Sequence, residues 1–98
     1  MALALGACAP QPKPAAVAPE VAAQQRAQQL IDAGNDAFRT GQYELAAKRY
    51  AAASIEKPDD PAAFYGLGMA LAKLGRDEQA RVAYAKAREL NHAQHGGP

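Results

Sequence analysis

The feature that most constrains the fold is an internal repeat with a period of 34 residues. When the chain is shifted by 34 positions, residues of the same type coincide at several places, among them Gly34 with Gly68, Gly41 with Gly75, Ala46 with Ala80, Tyr50 with Tyr84 and Ala53 with Ala87. A repeat of this length corresponds to one supersecondary unit that stacks on its neighbour. The sequence therefore predicts two copies of one small unit, in residues 27–60 and 61–94.

The composition favours helices, and residues that end or begin a helix divide the chain into four segments. Alanine, the strongest helix former, dominates the composition, whereas β-branched residues are few. Gly41 and Gly75 are expected to end helices by taking a left-handed conformation, and Pro58 cannot continue one. Asp60 followed by Pro61 combines a capping side chain with the residue preferred at a first helical position. We therefore expect an all-α fold with helices over residues 20–39, 43–56, 61–74 and 77–91.

Small residues recur where the two helices of each unit would cross. Gly34, Ala46 and Ala53 let the helices approach closely, as do their counterparts in the second unit, so that a larger side chain would overpack the contact. Tyr50 and Tyr84 supply large aromatic rings that fill the space between helices, and their hydroxyls are free to reach water or a carbonyl. We expect both tyrosines in the core and not at a ligand.

The repeated positions together resemble the tetratricopeptide repeat. In the second unit the family's pattern of large, small and aromatic residues is matched by Phe64, Leu67, Gly68, Leu71, Ala80, Tyr84 and Ala87. The resemblance implies two tandem helix-turn-helix units that form a short right-handed α-solenoid, here with an extended first helix. It also implies a protein-binding module and not an enzyme.

In this family the first helix of each unit lines a concave groove. By resemblance the groove residues here are Ile31, Asn35, Phe38, Arg39, Tyr65, Met69 and Lys73. Their chemistry suits an extended or helical peptide, with Arg39 and Lys73 available for an acidic side chain or a carboxylate. Asn35 alone matches the clamp of chaperone-binding members, so we do not expect recognition of chaperone tails. The alternative for each of these residues is that it lies at the surface or packs in the fold and contacts no ligand.

Other functional classes find little support in the sequence. Eleven basic and ten acidic residues are interspersed, which gives no basic face for nucleic acid. The single cysteine excludes an intramolecular disulfide framework and a zinc site with several cysteines. His92 and His95 are interpreted as part of a polar tail and not as metal ligands. No catalytic pair or phosphate-binding loop is present, so we expect neither a cofactor nor a metal.

The amino-terminal residues 1–8 resemble the lipobox of bacterial lipoproteins. Leu5-Gly6-Ala7-Cys8 supplies an aliphatic residue, two small residues and the cysteine, so the resemblance implies a lipid anchor at Cys8. Because no basic residue and only a short apolar stretch precede Cys8, we expect the signal to begin upstream of Met1. Residues 9–19 contain four prolines and are interpreted as a tether. The alternative is a chance cysteine in a disordered terminus.

The opposite end of the chain carries a different expectation. The fourth predicted helix ends near Asn91, and nothing is predicted to hold the residues after it. The second repeat ends at residue 94, so the domain is assigned to 20–94 and residues 95–98 are predicted to be a disordered tail. Two units make a small solenoid, and self-association is one way to complete its core. Arg81 and Arg88 are interpreted as a solvated outer face of the last helix.

Two hypotheses for function follow. The first is a lipid-anchored scaffold on the periplasmic face of the outer membrane, where Ala9 lacks the retention signal of the inner membrane. It would bind a protein or peptide partner in its groove and aid assembly of an envelope or pilus complex. The second is a soluble cytoplasmic adaptor or self-associating structural module, with no membrane contact.

Overall fold

The computed structural model describes residues 17–96, and these residues form four α-helices. In chain order they are α1 (Pro19–Arg39), α2 (Tyr43–Glu56), α3 (Pro61–Lys73) and α4 (Asp77–His95). Short turns join them, so α1 pairs with α2 and α3 pairs with α4. α3 also packs extensively against α2 and less extensively against α1, whereas α4 packs against α3 alone among the described helices. The predicted all-α class with two helical hairpins is confirmed.

The turn inside each hairpin has the same structure. Gly41 has a φ of 78°, a left-handed conformation that only glycine adopts without strain. Its N–H donates to Phe38 O over 3.0 Å, and the N–H of Gln42 donates to Ala37 O over 2.8 Å. These two bonds satisfy carbonyls at the end of α1, which is the Schellman motif. The same motif recurs around Gly75, where φ is 77°.

The helix starts depend on different residues. The side chain of Asp60 accepts a hydrogen bond of 2.9 Å from the N–H of Ala62, and Pro61 begins α3, as the sequence predicted. α4 has Arg76 at its cap position and no capping side chain. Asp77 therefore acts in the first turn, where its negative charge favours the positive end of the helix dipole.

The core consists largely of alanine. Its main cluster contains Ala27, Ile31, Ala37, Ala46, Ala47, Tyr50, Ala53, Ala63 and Ala70. Tyr50 is only 1% exposed and is the largest fully buried side chain of the described residues. Because the alanines bring the helix backbones close together, one tyrosine fills the space that remains between them. A smaller cluster joins α3 to α4 through Leu71, Ala80 and Ala83.

The prediction that nothing holds the chain after Asn91 is wrong. α4 continues to His95, and the side-chain amide of Gln94 donates to the backbone carbonyl of Asp59 in the loop between α2 and α3. His92 stands where Pro58 stands in the first unit, and histidine keeps the N–H that a helix needs. Gly96, with a φ of 59°, marks the end of this longer helix.

The amino-terminal predictions fall mainly on residues that the structure does not describe. The lipobox-like segment 1–8 and most of the tether 9–19 lie outside the described residues. Val17 and Ala18 precede α1 and are exposed. None of the helices in residues 17–96 combines the length and apolar character needed to span a membrane.

Candidate peptide-binding groove

An open groove of about 520 Å³ crosses the amino-terminal half of α3, and we call it the α3 groove. Its lining comprises Ile31, Asn35, Tyr50, Pro61, Ala62, Tyr65, Gly66, Met69, Ala87, Arg88 and Asn91. α1 lines one side, the end of α4 lines the other, and α3 forms the floor. Tyr50 adds α2, so residues from all four helices contribute to one surface.

Four of the residues predicted from the family resemblance lie together in this groove. Ile31 and Asn35 are one helical turn apart on α1, and Tyr65 and Met69 are one turn apart on α3. The two pairs are also related by the 34-residue repeat. Ile31 is 7% exposed and closes the wall, whereas Tyr65 is 56% exposed and offers its ring to a ligand.

The other three predicted residues do not line the α3 groove, because they lie nearer the carboxyl ends of α1 and α3. There the ring of Tyr43, at the start of α2, occupies the space between them. Phe38 packs edge-on against this ring with centroids 5.1 Å apart, and Lys73 Nζ lies 5.9 Å from its centroid. Arg39 forms an ion pair of 2.8 Å with Asp36. The positive charges of Arg39 and Lys73 are therefore outside the groove.

Asn35 connects the groove to the core. Its side-chain oxygen accepts a hydrogen bond from the hydroxyl of Tyr50, which satisfies the polar atom of a buried ring. Burial raises the pKa of Tyr50 above its ordinary value, so the hydroxyl remains a donor. The amide nitrogen of Asn35 has no hydrogen bond to another described residue. It can donate to a backbone carbonyl of a bound peptide.

Arg88 is the one charged residue among those that line the α3 groove. It makes no ion pair with any residue that the structure describes, unlike Arg81, which lies 3.3 Å from Glu78. Sequence reasoning assigned Arg88 to a solvated outer face and did not place it or Asn91 at the groove. The available signal was that Arg88 stands 34 residues after Ser54, so the repeat replaces a small residue with a cation.

A second groove, of about 540 Å³, lies between α3 and α4 and is almost entirely apolar. It is lined by Phe64, Leu67, Leu71, Gln79, Val82, Ala83 and Lys86. Val82 at its edge is 65% exposed. Its polar side chains are Gln79 and Lys86, whereas the α3 groove has Asn35, Arg88 and Asn91, which can orient a ligand.

The titratable side chains of the described residues are dispersed. No group of three or more His, Cys, Asp or Glu side chains within 17–96 could hold a metal ion. His92 and His95 are exposed on the last turns of α4. Burial raises the pKa of Tyr84, and nearby Tyr65 raises it further, which makes that tyrosine a weaker acid than usual.

The family model of the tetratricopeptide repeat matches residues 31–93 of the chain. The chain belongs to the tetratricopeptide repeat family. The match spans the carboxyl-terminal part of α1, all of α2 and α3 and most of α4, and it includes all the lining residues of the α3 groove. Tetratricopeptide repeats are protein-interaction modules, and the chain shares that general role. No curated protein matches this tetratricopeptide repeat chain.

Proposed function

We propose that the chain is a protein-interaction scaffold that binds a peptide segment of its partner in the α3 groove. The observation that carries this proposal is the convergence of Tyr65 and Met69 with Asn35, Arg88 and Asn91 on one open surface. An apolar floor gives affinity, and a few polar groups at the rim fix the orientation of the bound chain. The module is proposed to act by binding and not by catalysis.

Affinity capture with matched variants tests this proposal. The full chain and its Tyr65→Ala, Met69→Ala double variant are compared in bacterial envelope extracts. Val82→Ala serves as the control, because Val82 is an exposed aliphatic residue outside the α3 groove. We expect a specific partner that is retained by the control and lost by the double variant. Identical captures from all three proteins would place binding elsewhere.

We further propose that the module works at the bacterial envelope, anchored through a lipid on Cys8 to the periplasmic face of the outer membrane. The support is the Leu5-Gly6-Ala7-Cys8 pattern followed by a proline-rich stretch suited to a tether. In that position the α3 groove would aid assembly of an envelope or pilus complex.

Lipid labelling tests the anchor independently of the groove. Cells that express the chain with its native upstream sequence are given radiolabelled palmitate, and the Cys8→Ser variant is the control. We expect label only in the wild type, which should fractionate with outer membranes. Equal distribution of both proteins in the soluble fraction would favour a cytoplasmic adaptor.

Self-association is a second candidate, favoured by one observation. Tyr84 is only partly buried, and its helix α4 packs against α3 alone among the described helices. A second copy on this side would bury more of that ring. Sedimentation velocity over a hundredfold range of concentration tests self-association: a sedimentation coefficient that rises with concentration would support it, and a constant monomer value would count against it.

A further inference from the structure

In the first hairpin, the ring of one tyrosine forms the surface on which the next helix packs. The ring of Tyr50 lies between Gly34 of its own hairpin and Gly66 of α3. A Cβ atom at either glycine would collide with the ring, so both helices approach it as closely as glycine allows. Ile31 completes this surface and is 7% exposed. An aromatic residue against glycine therefore holds α3 on the first hairpin.

The second hairpin repeats half of this arrangement. Tyr84 packs against Gly68 as Tyr50 packs against Gly34. No described helix other than α3 contacts α4, so nothing in residues 17–96 stands where α3 stands on the first hairpin. Tyr65, the counterpart of Ile31, contacts Tyr84 edge-on with centroids 5.4 Å apart. These two tyrosines and Arg88 form what we call the open seat, which adjoins the α3 groove.

The open seat carries a positive charge that the corresponding position of the first hairpin lacks. Arg88 occupies the position of Ser54 and has no ion pair within the described residues, and no acidic side chain is among those that line the groove beside it. An arginine can hold a carboxylate through two parallel hydrogen bonds. A helix with an acidic residue opposite Arg88 would complement this charge.

Although a second copy of the chain could cover Tyr84, it matches the open seat less well than a helix that carries both a small and an acidic residue. In a head-to-tail stack its α1 would take the position of α3, and the residue that corresponds to Gly66 is then Asp32. A side chain there would collide with the ring of Tyr84, as a side chain at Gly66 would collide with Tyr50. α3 of a second copy has the glycine but contains no acidic residue for Arg88.

We infer that the open seat binds a helix of a different protein, with a small residue against Tyr84 and an acidic residue opposite Arg88. This inference rests on the proposed function and names the class of its partner segment. The bound helix continues the stack of helices and places its acidic side at the rim of the α3 groove.

Synthetic peptides with the sequence of residues 61–74 provide a probe, since this helix already packs against a tyrosine of the same kind. Four variants carry a single glutamate in place of Ala62, Ala63, Ala70 or Ala72. In a fifth variant leucine replaces the glycine that corresponds to Gly66. Binding to the full chain is followed by fluorescence anisotropy, with Arg88→Gln compared with Arg81→Gln as the matched control on the same helix.

At least one glutamate peptide should bind the wild type about threefold to tenfold more tightly than the parent peptide, the range for a charged hydrogen bond partly in contact with water. The gain should disappear in Arg88→Gln and persist in Arg81→Gln. The leucine peptide should bind at least about tenfold more weakly, although leucine is the better helix former.

Two sets of results separate this inference from the proposed function. A glutamate gain that survives in Arg88→Gln, tight binding of the leucine peptide, or no binding by any peptide would overturn the inference. Binding that is unchanged in the Tyr65→Ala, Met69→Ala variant would count against the α3 groove itself. If the double variant loses peptide binding but no glutamate peptide binds more tightly than the parent, the α3 groove remains the proposed site and the acidic helix is contradicted.

Discussion

The two hairpins share one sequence framework but use it differently. In the first, Tyr50 is 1% exposed, lies between glycines of two helices and donates its hydroxyl to Asn35. In the second, Tyr84 rests on one glycine, and Met69 stands where Asn35 stands in the first. The same residue type therefore fills a closed core in one unit and stays partly exposed in the other. The environment of a repeated position, and not its identity, determines its role.

The largest difference between the hairpins should appear when each tyrosine is truncated. Tyr50→Ala leaves a cavity that three helices surround, at a cost of about 3–5 kcal/mol. Tyr84→Ala removes a ring that is already partly in water and should cost about 1–2 kcal/mol. Urea denaturation followed by circular dichroism measures both values. Equal losses would show that the two rings are equally important to the fold.

Alanine at the glycines that face these rings sharpens the same comparison. Gly66→Ala pushes a methyl group into Tyr50, which has no space to move, and should cost about 1–2 kcal/mol after the gain in helix propensity. Gly68→Ala pushes against Tyr84, which can turn toward solvent, and should cost less than about 0.5 kcal/mol. Thermal unfolding of the two variants checks the order, and a reversed order would contradict it.

Removal of the hydroxyl groups has a smaller expected effect. Tyr50→Phe leaves Asn35 without its partner and should cost about 1 kcal/mol, whereas Tyr84→Phe should be nearly neutral. Because burial raises the pKa of Tyr50, the folded state holds that proton more tightly than the unfolded state. Its contribution is complete below the unfolded pKa of about 10 and is lost as pH rises through the folded pKa. Tyr50→Phe should reduce this alkaline loss of stability, which denaturation at pH 8 and pH 11 can measure.

The smallest effect belongs to the ion pair that joins the hairpins at the surface. Arg76 contacts both carboxylate oxygens of Glu44, at 2.9 and 3.3 Å, and about half of each side chain is exposed. A double-mutant cycle with Arg76→Gln and Glu44→Gln should give a coupling below about 1 kcal/mol that falls further in high salt. A larger coupling would mean that surface charge, and not the ring of Tyr50, controls the junction.

Local chemistry accounts for the part of the fold that was predictable from sequence. Gly41, Gly75 and the Asp60-Pro61 pair determine helix ends through their own backbone preferences, so the hairpins could be placed in advance. The continuation of α4 could not, because it is held by a contact between Gln94 and Asp59 that joins distant parts of the chain.

The groove was predictable only in its central part. Helical spacing places Ile31 and Asn35 on one face of α1, and Tyr65 and Met69 on one face of α3. The family resemblance indicated that the two faces border one groove. Phe38 and Lys73 contact the ring of Tyr43 instead, and Arg88 lines the groove from α4. Such arrangements depend on how the hairpins pack, which spacing within one helix does not encode.

The central claim is that the second hairpin leaves a surface on which a partner protein binds. Photo-crosslinking tests it most directly, with p-benzoylphenylalanine placed in the full chain at Met69 within the α3 groove or at Val82 outside it. We expect a discrete partner crosslink from Met69 that weakens with Arg88→Gln, persists with Arg81→Gln and is absent from Val82. The same products from both positions, or a partner crosslinked only from Val82, would contradict it.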